Sequence, residues 1–397
     1  MTISKNTGIN RSSFSLSATA SGLIAVAVSY GGPAALIFQA AQAAGLSNEQ
    51  LMSWIWAISI GSGICGIYLS IRFKTPVITA WSTPGAALLV TGWSAYSYPE
   101  AIGCFIFSGT IIMLFGVTGI FSKIMDRIPK AVVAAMLAGI LFRFGVDVFI
   151  HLKSMPMLVA PMIISYLILK KISPRYAIVI TLIAGFLAAY FQGELNNIGQ
   201  IDAVLAVPVL TTPQFSLPAI IGLGIPLCMV TMTGQNVTGL AVIRAAGYTA
   251  PASPMITTTG LFSVLLAPFG AHGINLAAIT AAICTGPDTH PDPKKRYLAG
   301  ITCGTAYILA GSFGAALMIF FTALPSQLIA VIAGLALFGA IISGLSQAMA
   351  DEIKKEAALV TFLITVSGIS FYGIGSAFWG LAGGLLFSSF STSPGDH

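Results

Sequence analysis

The chain has 397 residues, of which 56% are hydrophobic and 8% charged, and it carries a formal net charge of +6 and five cysteines. Soluble domains carry about 25% charged residues, so this composition excludes water as the main solvent. The basic residues lie in small clusters between apolar runs without interleaved aromatics, which excludes a nucleic-acid surface, and Cys65, Cys104, Cys228, Cys284 and Cys303 form no CxxC pair and read as packing residues.

A helical span needs about 20 mostly apolar residues, and about fourteen segments qualify: 14–44, 52–71, 76–92, 99–121, 129–146, 156–170, 174–191, 217–245, 253–268, 272–285, 298–320, 325–344, 356–372 and 374–391. The runs 101–120 and 177–190 are apolar on all sides, so the spans are helices and not barrel strands. The first follows a polar start with Lys5 and Arg11 and has no clear stop, so no cleavable leader is expected. It breaks at Ser29-Tyr30-Gly31-Gly32-Pro33. In the third, Thr75 to Trp81 reads as extended, then Ser82-Thr83-Pro84-Gly85 opens a helix with Thr83 as N-cap. Arg143 and Asp147, at helical i, i+4 spacing in the fifth, read as a local ion pair at its outer end.

The eighth span breaks at Thr233-Gly234-Gln235-Asn236. Such polar residues either bind a solute or serve as interhelical glue. In the tenth, Pro268-Phe269-Gly270-Ala271-His272-Gly273-Ile274-Asn275 precedes an apolar helix, with Asn275 as the expected cap. Asp288, His290 and Asp292 stand among prolines before Lys294-Lys295-Arg296, a rigid cytoplasmic turn in preference to a metal site. No nucleophile with a base, phosphate loop or pair of catalytic acids is present, so no enzyme, cofactor or metal is expected.

With a cytoplasmic amino terminus, sixteen of the 18 basic residues fall on the cytoplasmic side, leaving Arg143 and Lys153 outside. That bias favours an even number of spans and cytoplasmic termini in a bacterial inner membrane. Pro129 with Ala138-Gly139 recurs as Pro325 with Ala333-Gly334, and the first and eighth spans match in order, a weak repeat at half-length. Seven spans per half make the repeat inverted.

Extended backbone at membrane depth is tolerated only in protein or against a watery cavity. Helix starts on either side of the midplane offer free N–H groups and a partial positive charge worth up to about 2 kcal/mol to an anion. The twelve acidic residues all lie in or near loops, so the midplane suits an anion and lacks the usual proton carrier. His272 is a proton-coupling candidate, with hydrogen bonding of its own loop as the plainer role.

The runs 80–88 (AWSTPGAAL), Gly234-Gln235-Asn236 and 272–286 (HGINLAAITAAICTG) resemble the BenE benzoate transporter family, over nearly the whole chain. That family shares the architecture of the uracil permease, nucleobase–ascorbate and sulfate-type transporters. The resemblance implies an all-α polytopic membrane protein with a seven-plus-seven inverted repeat and short strands before the third and tenth helices. It also implies a core domain (14–121 and 217–320) and a gate domain (129–191 and 325–391). Gln235 stands where the uracil permease has a glutamate, Asn275 matches a nucleobase-motif asparagine, and Ile274 replaces that motif's acid. These departures suit an aromatic acid better than a nucleobase. The implied substrate site comprises Tyr30, Gly31, Gly32, Trp81, Ser82, Thr83, Gly85, Thr233, Gln235, Asn236, His272, Gly273 and Asn275. The implied function is proton-coupled uptake of benzoate or a related aromatic carboxylate. Alternatives are a carrier of another small anion or a nucleobase, a channel, or a structural membrane protein. The expected partners are the anion, protons and the bilayer, and the likeness is compatible with a homodimer joined through gate domains.

Overall fold

The computed structural model describes residues 16–119, 129–195, 205–249, 251–372 and 374–390. The expected cytoplasmic charges Lys5, Arg11, Lys123 and Arg127, and both chain ends, lie outside these residues. The protein is mostly helical. The first half comprises α1 (Leu16–Gly31), α2 (Pro33–Ala43), α3 (Asn48–Phe73), β1 (Thr79–Trp81), α4 (Thr83–Gly92), α5 (Tyr98–Thr118), α6 (Lys130–Ser154), α7 (Pro156–Ile172) and α8 (Ala177–Gln192). The second comprises α9 (Leu217–Ala245), α10 (Ala252–Leu266), β2 (Ile274–Leu276), α11 (Ile279–Thr285), α12 (Tyr297–Ser312), α13 (Gly314–Ala323), α14 (Ser326–Ala348), α15 (Lys355–Ser367) and α16 (Ser376–Phe390). Among the described residues, seven helical stretches are long and apolar enough to cross a membrane.

Local chemistry sets the boundaries. Ser47 with Gln50 and Ser97 with Glu100 form reciprocal capping boxes at the starts of α3 and α5, and left-handed Gly119, Gly193 and Gly368 end α5, α8 and α15. Gly32 and Pro33 interrupt the first span as expected. The eighth behaves differently: α9 stays helical through the polar stretch, which is accommodated as a π-helical segment, Met232–Val237, after an earlier one at Ile220–Gly224. Proline is absent from 233–236, so the backbone keeps its hydrogen bonds by widening instead of opening.

Other expectations also need correction. Ser82 caps α4 in place of Thr83, because its Oγ accepts from Gly85 N–H at 3.1 Å, leaving Thr83 as the first helical residue. Asn275 is no cap: it lies in the middle of β2, and α11 starts four residues later. The eleventh span divides at Phe313 into α12 and α13. α6 runs on to Ser154, which places Arg143 and Asp147 inside it, and they form no ion pair: among the described residues the one salt bridge joins Lys355 to Glu352.

β1 and β2 pair antiparallel, with Thr79 opposite Leu276, Ala80 opposite Asn275 and Trp81 opposite Ile274. All six residues are buried, so this ladder satisfies extended backbone inside the protein. Around it α5 packs along α10, α3 along α12, and α1 against α12 and α11. Glycines permit the closest crossings, since a Cβ on Gly63 would stand 2.5 Å from the Gly304 carbonyl oxygen. A second set packs mainly within itself: α6 along α14, α15 against α6 and α16, and α7 against α8. The segment before α9 runs extended over the first set, where Val209 N–H reaches Ser53 Oγ, Thr211 N–H the Pro268 carbonyl and Gln214 N–H the Pro99 carbonyl.

Candidate functional site

A cavity of about 760 Å³ lies where the strand ladder, α4 and α9 face α6, α7, α8 and α14. Its inner wall is Ala80, Trp81, Thr83 and Pro84 from β1 and α4, Thr233, Gln235 and Thr238 from α9, and Ala277, Ala278 and Thr280 before and within α11. Val133, Ala134, Leu137, Ile178 and Leu335 supply an apolar opposite wall. Lys130, Lys170, Asp288 and Gln347 stand at its edge, with both lysines and Asp288 exposed.

Of the residues singled out in the sequence, Trp81, Thr83, Thr233 and Gln235 line this cavity. Trp81 is 2% exposed, and its ring is held from behind by Tyr30 and Tyr307 at centroid distances of 5.2 and 5.7 Å. Tyr30 therefore supports the tryptophan and does not line the cavity; its hydroxyl meets Ser59 Oγ at 2.5 Å, and the Tyr307 hydroxyl donates to Ser29 Oγ at 2.6 Å. Thr233 spends its hydroxyl on the Met229 carbonyl at 2.7 Å, whereas the half-buried Gln235 amide makes no side-chain hydrogen bond among the described residues.

The amino end of α4 is mostly self-satisfied. Pro84 has no N–H, Gly85 N–H goes to Ser82 Oγ, and Ala86 N–H goes to the Ser82 carbonyl at 2.8 Å. What α4 presents to the cavity is Thr83, whose N–H and hydroxyl have no partner among the described residues, backed by the field of the helix start. α11 is only seven residues long and follows Ala278, which gives it no side-chain cap, so the expected pair of half-helices is unequal.

The remaining singled-out residues form a layer behind the wall. Asn236 is fully buried, and its Oδ1 accepts from Leu276 N–H at 3.0 Å, tying α9 to β2. With its amide assigned to satisfy both neighbours, Asn275 accepts from Ser82 N–H at 2.9 Å and donates to the Leu276 carbonyl at 3.1 Å. His272 Nδ1 accepts from Trp54 Nε1–H, and its Nε2 lies 3.0 Å from the Ser82 carbonyl. Gly273 has φ +155°, which L side chains rarely adopt. A Cβ on Gly85 would meet Leu227 and Ser82, and one on Gly32 would stand 2.7 Å from Ala336 Cβ and 3.0 Å from Ile178 Cγ2. Gly31 is buried beside Ile178 and Val179.

Sequence reasoning missed Thr238 and Thr280, and every residue from the opposite wall and the edge. Gln347 and Ser343 at i, i+4 in an otherwise apolar helix were a readable signal.

A model of the benzoate membrane transport protein family matches residues 12–390. The chain belongs to the benzoate membrane transport protein family. Among curated members similar to it, the "Benzoate membrane transport protein" of Acinetobacter baylyi is 45% identical over 94% of each chain. The "Inner membrane protein YdcO" of Escherichia coli is 44% identical over 92% of this chain and 94% of its own. In fold, the chain resembles the transmembrane domain of the cyanobacterium bicarbonate transporter BicA, with TM-score 0.62 and 14% identity over 93% of this chain and 97% of that one. It likewise resembles SLC26A9, with TM-score 0.65 and 12% identity over 95% of this chain and 65% of that one. Family membership makes this benzoate-family chain a membrane transporter and not an enzyme.

Proposed function

We propose that the protein takes up benzoate or a related aromatic monocarboxylate with a proton, by alternating access between the two helix sets. The observation that carries this reading is the cavity between the sets, which joins an aromatic and apolar wall to polar groups without a partner among the described residues, Thr83 and Gln235 among them. An aryl ring packs against Trp81 while its carboxylate takes Thr83 N–H and hydroxyl and the Gln235 amide, each charged hydrogen bond contributing about 1.5–3 kcal/mol. The buried layer of Tyr30, Ser82, Asn236, His272 and Asn275 holds those groups in place. A nucleobase is the second reading, and an amide at Gln235, where the resemblance to the uracil permease would call for a glutamate, speaks against it.

We read the chain as fourteen spans in an inverted repeat. The ladder supports this, because Ala80 and Asn275 lie opposite each other at its centre, as a two-fold axis through the membrane plane requires. The sets α1–α5 with α9–α13 and α6–α8 with α14–α16 are then the moving core and the gate. Positive-inside orientation puts the edge lysines on the cytoplasmic side, so the cavity faces inward, in an inner membrane with both termini cytoplasmic. A homodimer through the gate helices belongs to the same reading. The test is uptake of labelled benzoate into proteoliposomes under an imposed pH gradient. Uptake that responds to the gradient and is blocked by unlabelled benzoate is expected; competition by uracil or sulfate in place of benzoate would overturn the substrate assignment.

A further inference from the structure

We infer that His272 is a positioning residue, a fixed neutral imidazole clasping α3 to the cap of α4, and that the coupling proton does not travel on it. The transport arm of this inference rests on the proposed function; the geometry does not.

The partners assign the tautomer. An indole nitrogen only donates, so at 3.0 Å from Trp54 Nε1 the His272 Nδ1 must present its lone pair. A backbone carbonyl only accepts, so Nε2, 3.0 Å from the Ser82 oxygen, carries the hydrogen. Both nitrogens are committed. A second proton would land on Nδ1 and set it against the indole N–H, donor to donor. Trp54 is fully buried and lies edge-on to Trp93 at 5.2 Å, so the indole cannot swing aside. The groups recorded against the imidazole from α3, α5 and the α4 cap are Trp54, Phe105 and the Ser82 carbonyl, none of them titratable or charged. Among the described residues no carboxylate pairs with the imidazole to stabilise an imidazolium.

The clasp has a use. Ser82 is the hub of the wall: its carbonyl accepts from His272 and Ala86, its Oγ from Gly85 N–H and the Thr231 hydroxyl, and its N–H goes to the Gly273 carbonyl at 3.3 Å beside the Asn275 amide. The next residue is Thr83, so His272 fixes where those cavity donors point without touching the cavity itself.

The test has two arms. In protein labelled with ¹⁵N-histidine, the signal lost in H272Q identifies His272 among the four histidines. It should report Nε2–H and a bare Nδ1 unchanged between about pH 5 and pH 8, the range where histidine ordinarily titrates. Titration within that range overturns the inference. In proteoliposomes, H272Q keeps an oxygen for the indole and an N–H for the carbonyl, and should hold the benzoate KM within about twofold with full stimulation by a pH gradient. H272A loses both bonds and should raise KM roughly tenfold while the stimulation ratio persists. An H272Q protein that exchanges benzoate at equilibrium but ignores the gradient would make His272 the proton carrier. If the unmodified protein itself ignores benzoate or the gradient, the proposed function fails, and the labelled-histidine result alone decides His272.

Discussion

Replacing Gln235 by glutamate is the sharpest perturbation of the proposed site, because it changes charge with little change of shape. Gln235 and Thr83 face the same cavity, and neither side chain is committed elsewhere. A bound carboxylate reaching both lies about 5 Å from the new one, and at an effective dielectric of about 20 the repulsion is roughly 3 kcal/mol. Loss of the amide donor to the carboxylate adds about 1.5 kcal/mol. Together these weaken binding by at least about three orders of magnitude, and the alanine variant, which loses only the donor, by about tenfold. The glutamate effect has a pH sign: it is complete where the new carboxylate is ionised and fades as falling pH protonates it. Titration calorimetry of purified protein with benzoate, at neutral and acid pH, measures all three quantities. A glutamate variant that binds benzoate as tightly as the parent at neutral pH would refute the placement of the carboxylate.

Trp81→Ala removes the aromatic wall and should weaken benzoate at least tenfold while sparing small inorganic anions, read by competition in the same uptake assay. Lys130→Gln with Lys170→Gln should raise the benzoate KM about threefold at low salt and flatten its dependence on ionic strength, since exposed edge charges act through a field that salt screens. Gly32→Val places atoms against Ala336 and Ile178, so uptake should fall at least tenfold with equilibrium binding within about twofold, separating movement from affinity. Asn236→Ala orphans the buried Leu276 N–H and should cost about 1–3 kcal/mol, seen as a lower melting temperature in detergent.

What could be read in the sequence depended on how local its cause was. The mostly helical character, the break at Gly32-Pro33 and the extended stretch Thr75 to Trp81, whose strand occupies Thr79–Trp81, follow from hydropathy and from residues that forbid a helix. The caps were off by one to three residues. Ser82 and Thr83 are chemically alike as caps, and the choice between them was made by Thr231 and His272, more than a hundred residues away. The π-helical form of 232–237 was hidden for a related reason: Asn236 within it is tied to Leu276 N–H of β2, a partner 40 residues away. Polarity within apolar spans pointed to the region where the cavity lies. It did not distinguish the cavity wall (Trp81, Thr83, Gln235) from the layer behind it (Asn236, His272, Asn275), because partner choice decides which amide is spent and which is free.

The chemistry of that wall bears on how a proton would accompany the substrate in the proposed symport. A fixed lysine at the ladder would hold a carboxylate too firmly to release it on each cycle, whereas neutral donors and a helix end carrying roughly half a charge bind and let go. A monoanion entering alone would cost about 2.3 kcal/mol for every 100 mV of inside-negative potential. With His272 committed on both nitrogens and no carboxylate lining the inner wall, the group best placed to take the proton is the substrate's own carboxylate. In the proposed cycle, closure against the apolar faces of α6 and α14 would strip its water and favour its neutral form. Transport on this account is electroneutral, so collapsing the membrane potential with a potassium ionophore at constant pH gradient should leave the initial uptake rate unchanged. A rate that falls or rises with the imposed potential would place the proton, or a second charge, somewhere else.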